Sequence, residues 1–342
     1  MTVALHDFIV PAERAATGPP EARGTARDGV RMLVADRGTL THARFRELPR
    51  FLRAGDLVVV NNSATLAAAV DARYRDRPAV LHFATALDDG GWVVELRAPE
   101  GVPFTAADPE PGTHIHLPGA TAVLRAPWLP PARRLWIADI DTGVPRLLAR
   151  HGRPITYSYV AQRWSLDYYR TVFGREPGSA EMPSAGRPFT DRLVTDLVAA
   201  GIQLAPITLH TGVSSPETGE PPSPERFRVP DNTARLVNST HAAGGRVIAV
   251  GTTVTRALES ATDATGHTRP ASGWTELVLG AGHPTRAVDG LITGWHEPGA
   301  SHLRLLEAVA GADTVRAAYR AALDTGYLWH EFGDTALLFH SD

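Results

Sequence analysis

The chain has 342 residues and a net charge of −3, with 43% hydrophobic and 21% charged residues, which is typical of a soluble globular protein. It has no cysteine, which excludes disulfides, thiolate nucleophiles and sulfur-ligated metals. It also has no lysine, so that lysine Schiff bases, lysine general bases and a phosphate-loop lysine are excluded. The mildly acidic charge gives no indication of a nucleic-acid partner.

The sequence shows no sign of a membrane protein. No apolar run reaches the length of a membrane span, and the N-terminus lacks the charged-then-apolar order of a signal peptide. We therefore expect a cytoplasmic protein without membrane contacts. The oligomeric state is left open.

Residues 1–66 have the pattern of mixed α/β structure. A strand is expected at residues 31–37, followed by an amphipathic helix at 45–56 with its apolar residues on one face. Residues 56–62, "DLVVVNN", predict a buried strand that ends in two asparagines.

The pattern changes to short strands between residues 67 and 141. Gly- and Pro-rich turns separate them, and no helix of useful length is predicted there. The expected strands are at residues 79–87, 92–98, 113–117, 121–128 and 133–140. Strands at this spacing predict a small antiparallel β-barrel domain, inserted into the main domain.

Helices and strands alternate again from residue 142 to 342. Helices are expected at residues 191–201, 232–245, 254–261, 301–311 and 314–327, and strands at 202–212, 246–251 and 275–280. Such alternation predicts parallel strands covered by helices. The predicted fold class is α/β, with a barrel-like α/β main domain formed by residues 1–66 and 142–342.

Polar residues follow three of the predicted strands, where sites gather in parallel α/β folds. They are Asn61 and Asn62 after the first, His210 and Gly212 after the second, and Gly251, Thr252 and Thr253 after the third. The third group opens a helix, whose unpaired amides attract anionic or hydroxyl-rich ligands. The alternative is a simple N-cap with an Arg256–Glu259 surface pair one turn later.

Further candidates lie elsewhere in the C-terminal part. Ser184, Ala185 and Gly186 precede Phe189 and Thr190 in a second possible anion-binding helix start. A loop holds His296 and Glu297. His210 is a candidate acid or base near neutral pH, although a histidine at such a position is, taken alone, more often structural. The Pro- and Gly-rich residues 217–227 form either a mobile loop or a lid. His114 and His116 share a strand face without a third ligand, so that no metal site is expected.

Several of these segments together resemble one family. Residues 55–70, "GDLVVVNNSATLAAAV", are similar to the pattern G-D-L-x-V-x-N-N-T-R-V-x-P-A-R-L of the S-adenosylmethionine:tRNA ribosyltransferase-isomerase family of the queuosine pathway. Residues 246–260, "RVIAVGTTVTRALES", match its R-V-I-A-V-G-T-T-x-x-R-x-L-E almost position by position. Four further motifs follow the family order: "DYYRTVFGREPGSAEMPSAGRPFT", "ITLHTG", "LITGWHEPGAS" and "YLWHEFGDTALLF".

The resemblance implies an α/β barrel-like domain with an inserted β-barrel, and S-adenosylmethionine as the ribosyl donor. The acceptor in this family is 7-aminomethyl-7-deazaguanine in tRNA, and adenine and methionine are released. Neither a metal nor a permanently bound cofactor is implied, because the sulfonium itself stabilises the carbanion. On this basis Gly251, Thr252 and Thr253 contact S-adenosylmethionine, and Arg256 and Glu259 orient it.

The resemblance also suggests the groups that transfer protons. His210, His296 and Glu297 are the candidates, with Asp334 as an orienting carboxylate. The remaining candidate substrate-binding residues lie in the matched motifs: Asn61, Asn62, Ser184, Ala185, Gly186, Phe189, Thr190 and Gly212.

The chain differs from the family pattern at specific positions. Alanines stand at Ala64 and Ala69 where the pattern has arginines, and Pro188 and Gly294 replace a histidine and an asparagine. Loss of arginines weakens phosphate contacts, which calls tRNA as the acceptor into question. Three interpretations stay open: the family reaction, an S-adenosylmethionine enzyme with a small-molecule acceptor or with sulfonium cleavage alone, and a non-catalytic binding protein.

Overall fold

The fold is taken from a computed structural model, which describes residues 8–99, 104, 109–157, 159–160, 162–213, 222–280 and 282–340. The strands in these ranges are β1 (Arg31–Asp36), β2 (Thr39–Arg44), β3 (Leu57–Asn61), β4 (Ser63–Thr65), β5 (Ala69–Tyr74), β6 (Arg77–Ala86), β7 (Trp92–Arg97), β8 (His114–Leu117), β9 (Ala120–Pro127), β10 (Leu135–Ile140), β11 (Gly152–Arg153), β12 (Glu176–Ser179), β13 (Gln203–Leu209), β14 (Glu225–Val229), β15 (Val247–Val250), β16 (Ala271–Thr275), β17 (Gly290–Gly294) and β18 (Thr335–Phe339).

The α-helices in the same ranges are α1 (Val144–His151), α2 (Asp191–Ala199), α3 (Asp231–Ala242), α4 (Thr252–Ser260), α5 (Ser301–Ala310) and α6 (Ala312–Thr325). Short 3₁₀ helices span Ala12–Arg14, Pro20–Arg23, Arg27–Gly29, Phe45–Phe51, Leu166–Tyr169 and Ser184–Gly186. None of the helices in the described ranges is long and apolar enough to cross a membrane.

The main domain is built on a mixed sheet in the order β16-β14-β13-β3-β15-β17-β18-β1-β2. Its centre, β13-β3-β15-β17, is parallel, whereas β18 runs antiparallel to β17. The central strand β3 is buried on both faces, which explains its continuous apolar sequence. Because parallel strands end at the same edge of a sheet, the polar residues after β3, β13, β15 and β17 meet there.

Apolar cores cover both faces of this sheet. On one face, Leu57, Ala249 and Leu306 belong to a cluster that includes residues of α3 to α6. On the other face, Val58 and Ile248 pack in a second cluster with residues of α2. Burial on both sides fixes the strand ends in place, and the site is assembled on them.

The inserted domain is a closed antiparallel barrel. Its strands pair in the order β5-β6-β7-β10-β9-β8, and an additional pairing of β8 with β5 closes the ring. Phe83 and Trp136 are buried in its own apolar core. The predicted α/β class with an inserted antiparallel β-barrel is thereby confirmed. The six strands of the ring span residues 69–140, and β11 at residues 152–153 pairs with β5 in the same sheet.

Two sequence predictions about single elements are wrong. Residues 45–56 do not form an amphipathic α-helix but a 3₁₀ helix, Phe45–Phe51, which contains Pro49 and therefore cannot make a regular α-helical ladder. The strand expected at 275–280 is displaced towards the N-terminus. The observed strand, β16, spans Ala271–Thr275, where it pairs with β14. Helix α1 and the small parallel pair β4–β12 have no counterpart in the sequence predictions.

Candidate active site

A cavity of about 690 Å³ opens at the C-terminal edge of the parallel strands. Its walls include residues that follow β13, β15 and β17, together with the segments 154–157 and 180–185. Arg97, at the end of β7, brings the inserted barrel to the same cavity. The cavity therefore lies where the barrel meets the main domain.

The turn between β15 and α4 forms one wall of this cavity. Gly251 has φ of +93°. A Cβ placed with ideal geometry on Gly251 would lie 3.3 Å from the Cβ of Ala185. No side chain caps α4, and Thr252 and Thr253 line the cavity. The first amides of a helix have no intrahelical acceptors, so that this turn offers hydrogen-bond donors to a ligand.

Arg256 lies one turn further along α4 and is held from several sides. It forms an ion pair with Glu225, and its Nε and Nη2 donate to the carbonyl oxygens of Leu277 and Thr275, both at 3.1 Å. Glu225 also accepts a hydrogen bond from the amide of Gly212, at 3.3 Å. Burial raises the pKa of Glu225, against the opposing effect of Arg256. This pair joins the ends of β13 and β15 across the cavity.

Two histidines stack beside the turn. The rings of His296 and His302 are nearly parallel, with centroids 4.5 Å apart. The Nε2 of His296 lies 3.0 Å from the Oγ1 of Thr293. Burial lowers the pKa of His296 well below its usual value and that of His302 to about 4, so that both rings are neutral at pH 7.

The low pKa of His302 predicts a loss of stability in acid. The unfolded chain takes up this proton below about pH 6.5, whereas the folded protein does so only near pH 4. Stability contributed by the neutral ring is therefore present above pH 6.5 and is lost as the pH falls towards 4, by about 2 kcal/mol at pH 5. We expect the wild-type melting temperature to fall between pH 7 and pH 5. The fall should be smaller for His302→Gln, and equal slopes for the two proteins would contradict this.

The cavity is also lined by three stacked rings, from Tyr157, Tyr159 and His330, which we call the ring stack. Tyr159 lies between the other two, with its ring centroid 3.8 Å from that of His330 and 5.8 Å from that of Tyr157. His330 has φ of +72°, a strained conformation for a residue with a side chain. Strain of this kind is held only where the surrounding structure fixes it, and here it places the ring in the stack.

Each ring of the stack contacts its own carboxylate. Tyr157 donates to Glu181, Tyr159 donates to Glu331, and Nε2 of His330 lies 3.2 Å from Glu297. Burial raises the pKa of Glu331 and of Glu297, and it lowers that of His330 to about 4. The ring stack therefore combines flat apolar faces with a group of carboxylates.

The sequence matches a known family over nearly the whole chain. A family model described as "Queuosine biosynthesis protein" matches residues 3–338. The chain belongs to this family. It is 33% identical to the S-adenosylmethionine:tRNA ribosyltransferase-isomerase of Heliobacterium modesticaldum, over 99% of this chain and 100% of that protein. It is 35% identical to the enzyme of the same name from Methylobacterium radiotolerans, over 99% and 98% respectively.

A solved structure has the same fold. The crystal structure of S-adenosylmethionine tRNA ribosyltransferase from Thermotoga maritima superposes with a TM-score of 0.55 at 27% identity. The match covers 98% of this chain and 99% of that one. The two chains therefore share their overall fold over nearly their full lengths.

The structure brings many of the residues predicted from the sequence to one cavity. The predicted residues that line it are Ser184, Ala185, Gly212, Gly251, Thr252, Thr253, Arg256, His296 and Glu297. They come from three strand ends and from the 3₁₀ helix Ser184–Gly186. Their meeting in one cavity is consistent with the site expected for the family.

His210 does not line the cavity. Its Nδ1 lies 2.7 Å from the Oγ of Ser63, which in turn lies 2.6 Å from the Oγ of Ser179. The ring packs against Gly178, where a Cβ would lie 2.4 Å from it. The structure therefore gives His210 a bridging role between β4, β12 and the end of β13 rather than a position beside the substrate.

The two predicted carboxylates outside the cavity are held by backbone amides. Asp334 accepts from the amides of Arg31 and Leu328 at 2.7 and 2.8 Å. Glu259 accepts from the amides of Arg286 and Ala287, each at 2.9 Å. Both carboxylates are buried and bind backbone amides, Glu259 from α4 and Asp334 just before β18, and their expected roles in orienting S-adenosylmethionine or a catalytic group stay predictions.

Asn61 and Asn62 support the cavity from behind. The amide group of Asn61 bonds the backbone of Leu209 in both directions, at 2.8 and 3.0 Å, and Asn62 accepts from Thr208 at 2.7 Å. The Nδ2 of Asn61 also lies 3.4 Å from the Oγ1 of Thr253. The asparagines thus fix the end of β3 against β13 and do not line the cavity.

Three other predicted residues serve the core or a helix cap. Phe189 is fully buried, with its ring centroid 5.0 Å from that of Phe45. Thr190 caps α2 by accepting from the amide of Leu193 at 3.1 Å. Gly186 lies beside Phe189 and does not line the cavity. The anion-binding helix start predicted at residues 184–190 is therefore an ordinary side-chain cap at α2.

Sequence reasoning missed several residues of the cavity: Tyr157, Tyr159, Glu181, Glu225, His302, His330 and Glu331. His330 and Glu331 stand in the matched segment 327–339, which was a usable signal. The predicted loop or lid at 217–227 falls partly outside the described residues, and its last part, Glu225–Phe227, begins β14. Among the described residues no cluster of three or more histidine or acidic side chains suits a metal ion.

Proposed function

We propose that this protein is an S-adenosylmethionine:tRNA ribosyltransferase-isomerase. It transfers and isomerises the ribosyl part of S-adenosylmethionine onto the aminomethyl group of 7-aminomethyl-7-deazaguanine in tRNA, and adenine and methionine leave. The observation that carries the proposal is the match at 33–35% identity over 99% of the chain, with the best-matched motif forming a wall of the cavity.

S-adenosylmethionine binds at the turn formed by Gly251, Thr252 and Thr253. The amides at the start of α4 donate to its carboxylate or to its ribose hydroxyl groups, and the threonine hydroxyl groups offer further hydrogen bonds. Arg256 supports this position from the next turn, fixed by Glu225. The cavity of about 690 Å³ is in the range expected for a small-molecule site.

Glu297 is the base that removes the proton beside the sulfonium. It lines the cavity, His330 positions its carboxylate at 3.2 Å, and burial raises its pKa, which makes the ionised form more basic than an ordinary glutamate. The carbanion is stabilised by the adjacent positive sulfur. The bond to adenine then breaks, and adenine takes up one proton. The acceptor amine, in its neutral form, bonds to the ribosyl carbon and loses a proton. The carbon–sulfur bond breaks as the isomerised ribosyl group forms, and methionine leaves with both electrons of that bond on sulfur.

His296 acts as a hydrogen-bonding group and not as the base. Its pKa lies well below the usual value, so that the neutral ring has little affinity for a proton. Held by Thr293 and His302, it is available to hydrogen-bond the departing adenine. No permanently bound cofactor is needed, because the sulfonium of the substrate supplies the electron sink.

The alanines at positions 64 and 69 are compatible with a tRNA acceptor. Ala69 is only 2% exposed in β5, so that this position faces the core and not a phosphate in solution. Ala64 is half-buried, and a Cβ placed with ideal geometry on Gly174 would lie 3.4 Å from the Cβ of Ala64. Loss of arginine here does not remove an exposed phosphate contact in this chain. An enzyme that acts on tRNA belongs in the cytoplasm.

The reaction is tested by incubating the protein with S-adenosylmethionine and quantifying adenine and methionine. We expect release in the presence of tRNA that carries the deazaguanine base, and only background release without RNA. Matched tRNA with guanine at that position is the control. Equal release without RNA would instead indicate a small-molecule acceptor or sulfonium cleavage, and binding without release would indicate a protein that only binds.

A further inference from the structure

The proposed binding of S-adenosylmethionine at the Gly251 turn does not use the ring stack, Glu181 or Glu331. Five of these groups, Tyr157, Tyr159, Glu181, His330 and Glu331, come from segments far apart in the chain, yet all line the same cavity. Glu297 joins them through His330 and is also the proposed base. Through His330, the stack therefore contacts the carboxylate at which the proposed chemistry begins.

We propose that the ring stack with Glu181 and Glu331 is the subsite for the acceptor base, a guanine-type base that carries a cationic aminomethyl group. This inference rests on the proposed function. The base lies against the aromatic face of the stack, one carboxylate accepts from its Watson–Crick edge, and the other binds the ammonium group.

The chemistry of the carboxylates favours this base over adenine. A guanine-type base presents two adjacent donors, the N1–H and the exocyclic amino group, and an ionised carboxylate is an acceptor only. Adenine presents a donor beside an acceptor at the same edge, which leaves a carboxylate poorly matched. The aromatic faces add stacking, which proteins use to hold bases that are turned out of an RNA strand.

Electrostatics favour a cationic ligand in the same place. Glu297 and Glu331 lie near each other through the His330–Tyr159 stack, and burial raises the pKa of both. A bound ammonium group would favour the ionised form of both carboxyls. The two subsites are also close enough for the reaction. Glu331 directly follows His330, which contacts Glu297, so that an amine bound at Glu331 lies on the same side of the cavity as Glu297. The ribosyl carbon becomes reactive at Glu297.

The test compares Glu331→Gln and Glu181→Gln with the wild type in adenine release, varying one substrate at a time. We expect the KM for the deazaguanine tRNA to rise about tenfold or more in at least one variant, while the KM for S-adenosylmethionine changes less than about twofold. The matched control is Glu13→Gln, an exposed glutamate that does not line the cavity. Calorimetric binding of S-adenosylmethionine shows that each variant is folded.

A second measurement tests recognition of the ammonium group. Wild-type protein should bind tRNA with the aminomethyl base in preference to the same tRNA with guanine, and the preference should fall about tenfold in the variant that loses the ammonium contact. If the wild type is active but both variants change only the KM for S-adenosylmethionine, or neither KM, the inference is wrong and the proposed function stands. If the wild type releases no adenine with the modified tRNA, the proposed function itself fails.

Discussion

Replacing Glu297 with glutamine will reduce tRNA-dependent adenine release by about 10²- to 10⁴-fold, the range for loss of a general base. Glutamine keeps the shape of the side chain but cannot take a proton. S-adenosylmethionine should still bind, because the Gly251 turn is unchanged. The measurement is the single-turnover rate of adenine release at saturating concentrations of both substrates.

The matched control is Glu276→Gln, since Glu276 is exposed and does not line the cavity. The pH profile gives an independent check. Burial raises the pKa of Glu297 above the ordinary glutamate value of 4.5. The wild-type rate should therefore fall in acid at a pH above 4.5, as Glu297 takes up a proton. The residual rate of the variant should lack this acidic limb. A Glu297→Gln enzyme with the wild-type rate would contradict the assignment of the base.

Replacing Gly251 with alanine will weaken the binding of S-adenosylmethionine by about tenfold or more and will lower stability by about 1–3 kcal/mol. The φ of +93° is unfavourable for any residue with a Cβ, and the new methyl group would press on Ala185 at 3.3 Å. Relief of both strains turns the first amides of α4 away from the ligand. Calorimetry gives the affinity, and thermal unfolding gives the stability.

Gly244→Ala separates backbone strain from loss of the ligand site. Gly244 also has a positive φ, of +73°, but it follows α3 and nothing lies within 4 Å of its Cβ position. We expect this control to lose stability and to keep its affinity for S-adenosylmethionine. If both variants lose affinity equally, the Gly251 turn has no special role in binding.

The parts of the fold that follow hydrophobic periodicity were predictable from the sequence. The buried strand β3 and the polar ends of β13 and β15 gave the edge of the sheet on which the cavity lies. The Gly251 turn was visible because a glycine and two hydroxyl groups at a strand-to-helix joint suit a ligand-binding turn, although a simple helix cap has the same pattern. The short, Gly- and Pro-separated strands likewise gave the barrel, because turns at that spacing suit few other folds.

The remaining site residues depended on contacts that a sequence does not contain. The matched motifs suggest that Glu259 orients S-adenosylmethionine and that Asp334 orients a catalytic group, whereas in the structure both carboxylates accept hydrogen bonds from backbone amides. The ring stack joins residues 157, 159 and 330, which stand in irregular segments without periodicity. In the 3₁₀ helix Phe45–Phe51, Pro49 overrode an apolar pattern that fitted an α-helix.

The most direct test is the mass of the modified nucleoside. Wild-type protein is incubated with S-adenosylmethionine and tRNA that carries 7-aminomethyl-7-deazaguanine, and the digested RNA is analysed by mass spectrometry. We predict a gain equal to the ribosyl-derived group on that one nucleoside, matched one to one by adenine release and absent with Glu297→Gln. Adenine release with no gain on the RNA would contradict the assignment of tRNA as the acceptor.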